Sequence, residues 1–270
     1  MISTDDNDEL PPISPWHYIC TSKIPFWKFD KQKIFRIYFT RLKIFPYYVC
    51  HMLLFSMYVY YYKVLSRFVI DDNNYIFYSF TFLWIMSHVC YFVVHFSNPG
   101  ILPWYWASTK QRIYSRTELF NGIAIEKAQK NYGKNHDYPP RSFFSGDAGY
   151  IVLRADHICF WIHHWIGLKN MRFFIQSLFY TTICLGEFIF IIFKVFFNPD
   201  FVRSSFLYVF FIITSVFFCI FHFIYFVGNI SRAMVNRTLL ETILQIPNIY
   251  GKGVIKNLEE VFGSIWLFPL

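Results

Sequence analysis

Asp156, His157 and Cys159 stand within a stretch of four residues and form the group in the sequence best suited to chemistry. A cysteine becomes a nucleophile when an adjacent base or cation raises its thiolate fraction. A histidine can act as that base near neutral pH, and an aspartate can hold the imidazole in the required tautomer. Read alone, the stretch is compatible with a cysteine acyl-transfer site, but an aspartate-capped turn with an incidental cysteine explains it more simply.

The elements that must position this group are long and apolar. Four stretches cover residues 44–62, 75–96, 173–193 and 206–228, and Glu187 is the one charged side chain among them. A helix needs about 20 mostly apolar residues to cross a hydrocarbon core of about 30 Å. Buried helices of a soluble protein would need a very large core to hide four such stretches. The sequence therefore predicts an all-α integral membrane protein with four transmembrane helices.

The distribution of lysine and arginine predicts the orientation of these helices. Residues 1–43, 97–172 and 229–270 contain seven, ten and four of them, whereas the short connections 63–74 and 194–204 contain two each. By the positive-inside rule, both termini and the long loop face the cytosol. The net charge of +8 is then a consequence of topology, and we expect no nucleic-acid binding. No signal peptide is visible, and an endomembrane such as the ER or Golgi is the expected location.

This topology divides the chain into five parts. A cytosolic N-terminal segment covers residues 1–43, transmembrane helices 1 and 2 cover 44–96, and a cytosolic loop domain covers 97–172. Transmembrane helices 3 and 4 cover 173–228, and a cytosolic C-terminal segment covers 229–270. Long loops in compact proteins are usually functional or disordered. This loop is rich in tryptophan and other apolar residues, so we expect it to fold against the membrane and to carry the chemistry.

The residues around the triplet carry the landmarks of a known family. At fixed intervals they include Pro139, Arg141, Val152-Leu153-Arg154, Asp156, His157, Cys159, Trp161, Gly167, Asn170 and Phe174. Further landmarks are Ser97-Asn98-Pro99-Gly100, Thr238-Leu239-Leu240-Glu241, and Asn248, Tyr250, Gly253 and Asn257. As a set they resemble the DHHC palmitoyltransferases, and the resemblance covers nearly everything after residue 44. Four helices with a cytosolic loop between the second and third is also the topology of that family.

The chain departs from the family at the positions of its zinc ligands. The family binds two zinc ions in this loop, and the eight ligand positions here hold Asn131, Lys134, Phe144, Ser145, Ala148, Ile151, Ile158 and Trp165. The motif itself reads Asp-His-Ile-Cys, which loses the histidine that the family uses as a ligand and keeps the one assigned as base. We therefore expect zinc to be absent. We also predict that an apolar cluster of Phe144, Ile151, Ile158 and Trp165 supports the loop, each side chain contributing roughly 1.5–3 kcal/mol.

Two neighbouring histidines, His163 and His164, do not restore a metal site. Adjacent residues point in different directions on any regular element, and Cys159 is the one cysteine close to them. The sequence therefore predicts no metal-binding residues.

The resemblance implies a two-step acyl transfer at the cytosolic face of the membrane. Cys159 would attack the thioester of a long-chain acyl-CoA such as palmitoyl-CoA, and His157, oriented by Asp156, would take the thiol proton. The acyl group would then pass to a cysteine of a membrane-associated protein substrate. Three cations, Arg141, Arg154 and Arg172, are candidates to bind the CoA phosphates. Anchoring at the lipid headgroups explains these three arginines equally well.

Two other functions stay open at this stage. A catalytically inactive member of the family would keep the fold and bind membrane lipid or protein partners, and the missing zinc ligands favour it. A channel or transporter would need a polar path through the helices. Glu187 and a few helical histidines offer only a thin one, although intramembrane ionisable groups are often functional.

Overall fold

The computed structural model describes residues 45–69, 74–101, 140–145, 150–162, 164–199, 201 and 206–263. The N-terminal segment 1–43 lies outside the described residues. So do Asn131, Lys134, Pro139, Ala148 and His163, and the predictions made for them.

Long helices dominate the fold. The first apolar stretch forms α1 (Phe45–Tyr60), which continues without a break through a π-helical turn (Tyr61–Leu65) into α2 (Ser66–Val69). The other three stretches form α3 (Tyr75–Phe96), α4 (Met171–Phe196) and α5 (Phe206–Met234). Within the described ranges, α3, α4 and α5 are long and apolar enough to cross a membrane. The predicted class of a helical membrane protein is therefore confirmed.

The helix α4 lies at the centre of the bundle, with α3 and α5 packed on either side. Half of the most apolar window of α4 is buried, against 22% for α3 and 17% for α5. The outer faces of α3 and α5 expose large apolar side chains such as Phe82, Phe217 and Ile224. Water would not tolerate so much apolar surface, whereas lipid does, so these faces are the expected contact with the hydrocarbon core.

Two apolar clusters hold the helices together. One joins the end of α1, the π-helical turn and α2 to the other three long helices. It includes contacts between the rings of Phe80 and Phe188 (5.8 Å) and of Tyr60 and Phe211 (4.7 Å). The second cluster contains Cys159 and lies among α1, α3, α4 and α5.

Polar groups inside the bundle have partners of their own. The Ser79 hydroxyl on α3 donates to the Glu187 carboxylate on α4. His88 and His222 each bond to a carbonyl one turn earlier in their own helix, Trp84 O and Phe218 O, at 2.9 and 2.7 Å. The first contact joins α3 to α4, whereas the two histidine contacts stay within a single helix.

The loop before α4 is not helical where it is described; it forms two short antiparallel hairpins. In the first, β1 (Phe143–Ser145) pairs with β2 (Tyr150–Val152). In the second, β3 (His157–Cys159) pairs with β4 (His164–Ile166). The class is therefore mostly helical with a small β component that hydrophobic periodicity did not predict, because strands of three residues are too short to show a period of two.

Two short helices follow α5: α6 (Leu239–Ile243) and α7 (Val254–Phe262). A capping box starts α6, since the Thr238 hydroxyl accepts from the Glu241 N–H (3.1 Å) and the Glu241 carboxylate accepts from the Thr238 N–H (2.8 Å). Val261 and Phe262 of α7 pack into the cluster around Cys159, which brings the C-terminal segment back to the loop.

Candidate active site

The strand β3 places His157 and Cys159 together. Successive side chains of a strand point to opposite faces, so residues two apart share a face. His157 begins β3 and Cys159 ends it, which puts the imidazole and the thiol on one side. Ile158 lies on the other side and is 55% exposed. The spacing of one residue between His157 and Cys159 is thus what a strand needs in order to pair them.

A hydrogen bond from Asp156 orients the imidazole. Nδ1–H of His157 donates to Oδ2 of Asp156 at 2.7 Å, and the neighbouring Cys159 thiol also favours the protonated ring. Because Nδ1 is used by Asp156, Nε2 is the nitrogen available to the thiol. The edge of the Phe174 ring packs against the imidazole at 5.2 Å between centroids, which fixes the ring plane.

The electrostatics of the site favour an ion pair. Burial disfavours a charged imidazole, but the hydrogen bond and charge of Asp156, with the contact to Cys159, outweigh it and raise the pKa of His157 to about 9. Burial alone would raise the pKa of Asp156, because it disfavours the charged carboxylate. The hydrogen bond and charge of His157 and the Leu239 N–H outweigh burial, so the pKa of Asp156 is lowered. At neutral pH His157 is therefore protonated and Asp156 ionised. A protonated imidazole beside a thiol stabilises the nucleophilic thiolate.

The Asp156 carboxylate is anchored by the beginning of α6. Its Oδ1 accepts from the Leu239 N–H at 2.9 Å, and its backbone carbonyl accepts from the Leu240 N–H at 3.1 Å. Its own N–H donates to the Ile166 carbonyl at 2.9 Å. Unpaired N–H groups at the start of a helix are good donors to an anion. The C-terminal segment therefore holds the acid of the triplet in place.

A buried ion pair holds α6 in turn. Arg141 donates through Nε and Nη2 to the two carboxylate oxygens of Glu241, at 2.6 and 3.0 Å. It also donates through Nη1 to Oδ1 of Asn236 at 2.9 Å and stacks over the Tyr250 ring at 4.3 Å. Arg154 shares the Asn236 oxygen, through Nη2 at 2.9 Å. These contacts join the loop to the segment after α5.

The three arginines predicted to bind CoA therefore differ in their surroundings. The Arg141 side chain is 10% exposed and fully engaged inside the protein. Arg154 is also largely buried, and burial lowers its pKa. Arg172 lies in the first turn of α4 with its guanidinium 5.7 Å from the Phe173 ring centroid. Their contact with CoA stays a prediction.

Glu241 and Asn236 are site residues whose roles the sequence did not reveal. Glu241 was visible as the last residue of a capping box, which a T-x-x-E pattern signals. Asn236 adopts a left-handed backbone (φ 54°), a conformation that asparagine tolerates better than most residues. Its Nδ2 donates to the Tyr250 carbonyl (2.9 Å) and to Glu260 (2.7 Å). No local pattern predicts these partners, because they are far away in the chain.

The surroundings of Cys159 are apolar and belong to the membrane helices. Its side chain is buried in the cluster that includes Met171 and Phe174. The turn that follows it is bound by α3, because the Tyr91 hydroxyl donates to the Trp161 carbonyl at 2.5 Å. The Trp161 ring packs against Phe221 of α5 at 5.5 Å between centroids. The thiol thus lies against the bundle, in apolar surroundings.

Comparison with known proteins supports the resemblance to one family. The family model of the DHHC palmitoyltransferases matches residues 125–246, which include the whole triplet and α6. The chain is 28% identical over 225 residues to probable protein S-acyltransferase 12 of Arabidopsis thaliana, covering 72% of each protein. It is 29% identical over 215 residues to probable protein S-acyltransferase 13 of the same plant, covering 71% of this chain and 70% of that one. It is also 29% identical over 147 residues to palmitoyltransferase ZDHHC15 of Homo sapiens, covering 49% and 44%.

The resemblance to the DHHC palmitoyltransferases is thus confirmed over residues 125–246. Two further family landmarks, Asn98 and Asn170, fix the ends of the loop next to α3 and α4. Oδ1 of Asn98 accepts from the N–H groups of Gly100 and Ile101, both at 2.8 Å. Oδ1 of Asn170 accepts from the Gly167 N–H (2.8 Å), and its Nδ2 donates to the Trp165 carbonyl (2.7 Å). Asn170 therefore fixes the end of the second hairpin to the first turn of α4.

The zinc-ligand positions of the family do not fit a metal in this chain. Four of them form two cross-strand pairs, Phe144 with Ile151 and Ile158 with Trp165. None of these four side chains has an atom that binds zinc, which needs thiolate, imidazole or carboxylate ligands. Over the described ranges, no three histidine, cysteine, aspartate or glutamate side chains group as ligands.

Of the four residues predicted to form a supporting apolar cluster, two are buried, one is partly buried, and for Ile158 the prediction is wrong. Ile151 is fully buried and Trp165 is 6% exposed, with the Phe143 ring 5.8 Å from the Trp165 ring. Phe144 is partly buried. Ile158 is exposed, because strand alternation turns it away from the face that carries His157 and Cys159.

Proposed function

We propose that the protein is a membrane-embedded protein S-acyltransferase. It transfers a long-chain acyl group, palmitoyl above all, from acyl-CoA to a cysteine of a protein substrate through an acyl-Cys159 intermediate. The observation that carries this proposal is the Asp156–His157 hydrogen bond of 2.7 Å on the strand that also presents Cys159. The family match and the names of the relatives, which are protein S-acyltransferases and palmitoyltransferases, support it.

The charges of the site suit both chemical steps. In the first step the Cys159 thiolate attacks the thioester carbonyl carbon, the bond to the CoA sulfur breaks, and His157 gives its proton to the departing CoA thiolate. In the second step His157 takes the proton of the substrate thiol, whose sulfur attacks the acyl carbon. Cys159 leaves as a thiolate, and His157 is again protonated beside Asp156. The raised pKa of His157, about 9, keeps the imidazole protonated at the start of the cycle.

The topology of this enzyme is part of the proposal. The first apolar stretch crosses the membrane as a fourth helix, because helical backbone continues from residue 45 to 69 and packs against α3, α4 and α5. Both termini and the loop face the cytosol, as the lysine and arginine distribution predicts. An endomembrane (ER or Golgi) remains the proposed location.

The two ends of acyl-CoA have different binding regions. The acyl chain enters the apolar cluster around Cys159, where each buried CH₂ contributes about 0.8 kcal/mol. The phosphates are bound by cations at the membrane surface. Arg154 and Arg172 are candidates, whereas the full set of partners around Arg141 assigns it to holding α6.

We infer that the chain works without zinc. The buried Ile151 and Trp165 side chains, at two former ligand positions, supply apolar support to the hairpins. Metal analysis of the purified protein should find less than stoichiometric zinc, and a chelator should leave its melting temperature unchanged. Stoichiometric zinc, or melting at a lower temperature with the chelator, would contradict this inference.

The acyl-transfer proposal is tested with labelled palmitoyl-CoA. The wild-type protein should acquire a label that hydroxylamine removes, whereas Cys159→Ser should acquire none. His157→Gln should label about 10²–10⁴-fold more slowly, the usual contribution of a general acid or base. The control is Cys219→Ser, which removes a partly buried thiol of α5 and should label normally. No label on wild type would favour the inactive member of the family.

A further inference from the structure

Residues 242–256, which we call the aliphatic segment, are unusually apolar for a surface. Apart from a partly buried Tyr250, all of them are exposed, and none carries a negative charge. Six large aliphatic side chains are among them: Ile243, Leu244, Ile246, Ile249, Val254 and Ile255. The one type of charge present is positive, on Lys252 and Lys256. An ordered apolar surface of this kind marks a binding site.

The segment is fixed in place. The Asn248 Nδ2 donates to the Val235 carbonyl at 2.8 Å, and Arg237 Nη2 donates to the Ile246 carbonyl at 2.9 Å. The Asn236 Nδ2 donates to the Tyr250 carbonyl at 2.9 Å. These three anchoring contacts come from residues 235–237, directly after α5 ends at Met234. The aliphatic segment is therefore held against the end of a membrane-spanning helix.

The length of α5 gives the depth of that end. Its 29 residues rise about 43 Å at about 1.5 Å per residue. A bilayer measures about 30 Å across its hydrocarbon core and about 40–45 Å with its headgroup layers. A helix of this length therefore ends at the outer edge of one headgroup layer. Interfacial segments bury their apolar side chains about 5–10 Å into the boundary between headgroups and acyl chains. Residues attached to the end of α5 are close enough to this boundary to do the same.

The composition favours lipid over protein as the partner. Protein interfaces are enriched in aromatic side chains and arginine and depleted of lysine. The aliphatic segment has isoleucine, leucine and valine with two lysines, and its one aromatic residue, Tyr250, is used internally beneath Arg141. Lys252 pairs with Glu260, whereas the exposed Lys256 lies beside the apolar surface, as suits the anionic lipids of a cytosolic leaflet.

We propose that the aliphatic segment is a membrane-docking surface, with Ile249 and Ile255 inserted among the lipid headgroups and upper acyl chains next to the end of α5. This contact holds α6, and with it Asp156, at a fixed height above the bilayer. The role requires only that α5 crosses the membrane and is independent of the acyl-transfer chemistry.

The test uses the full chain in phospholipid nanodiscs. In a background with Cys20 and Cys159 replaced by serine, the single changes Ile249→Cys, Ile255→Cys and Glu259→Cys are each labelled with bimane. Glu259 is the matched control, because it is an exposed position of α7 one turn beyond Ile255. Lipid carrying a quencher near its headgroup should quench bimane at 249 and 255 more than aqueous iodide does, with the reverse order at 259.

Each other outcome overturns the proposal. Iodide quenching of equal strength at all three positions would mean that the segment is exposed to water. Protection of positions 249 and 255 from both quenchers would mean that protein covers them, either another part of this chain or a second copy.

Discussion

Asp156 and Cys159 lie three residues apart, yet their surroundings are opposite in kind. Asp156 is enclosed by hydrogen-bond donors and joined through α6 to the Arg141–Glu241 ion pair. Cys159 is enclosed by apolar side chains of the membrane helices. The polar side fixes the charge and orientation of the acid–base pair. In the proposed reaction the apolar side receives the acyl chain, and one short hairpin is the boundary between the two environments.

The largest expected loss on the polar side follows from removing Glu241. The change Glu241→Ala leaves Arg141 buried without its charged partner, and breaking a buried ion pair costs about 3–5 kcal/mol. It also removes the cap of α6 and so loosens Asp156. The thermal stability of the purified variant measures the effect. Lys252→Ala is the control, because the Lys252–Glu260 pair is largely exposed and should contribute less than about 1 kcal/mol.

Phe174 offers the matching change on the apolar side. It is 2% exposed, and its ring packs against His157, so Phe174→Ala should cost about 3–5 kcal/mol and slow acyl-enzyme formation. Phe193→Ala is the control, since Phe193 lies on the same helix and is 60% exposed. Equal melting temperatures for the two variants in detergent would contradict the packing described around the site.

A pH titration should reveal how much the His157–Asp156 ion pair contributes to the stability of the fold. The pKa of His157 is raised from 6.5 to about 9 in the folded protein. The contribution of His157 to the free energy of unfolding is therefore fully present below pH 6.5 and disappears as the pH rises through 9. The loss is on the order of 3 kcal/mol. The melting temperature of wild type should fall over this range relative to that of His157→Gln, and parallel curves would refute the ion pair.

The smallest effect is expected at Gly167, which lies between the second hairpin and α4. A Cβ atom there would lie 2.5 Å from the Pro99 carbonyl oxygen and 2.7 Å from the Val152 side chain. Gly167→Ala should therefore cost about 1–3 kcal/mol. Gly186→Ala on α4 meets nothing within 4 Å and should be neutral or stabilising by up to about 1 kcal/mol. Thermal melting of both variants gives the comparison, and a neutral Gly167→Ala would contradict the close packing.

Local patterns in the sequence determined a large part of this molecule. Apolar stretches of membrane length predicted the helices, because a helix that lies in lipid needs about 20 mostly apolar residues. The Thr238–Glu241 stretch was noted only as a family landmark, but its T-x-x-E pattern could also have predicted the start of α6, because a capping box involves residues within one turn. The group of Asp156, His157 and Cys159 was also visible, although the strand that explains its spacing was too short to predict.

Only the tertiary structure decided which distant residues meet. Arg141 and Glu241 are 100 positions apart, and Tyr91 reaches the Trp161 carbonyl across 70. The exposure of Ile158 and the burial of its cross-strand partner Trp165 likewise depend on how the hairpin lies against its neighbours. Composition and short-range spacing fix what a segment prefers on its own. The partner of a buried charge is fixed by the docking of whole elements, and that is a property of the assembled chain.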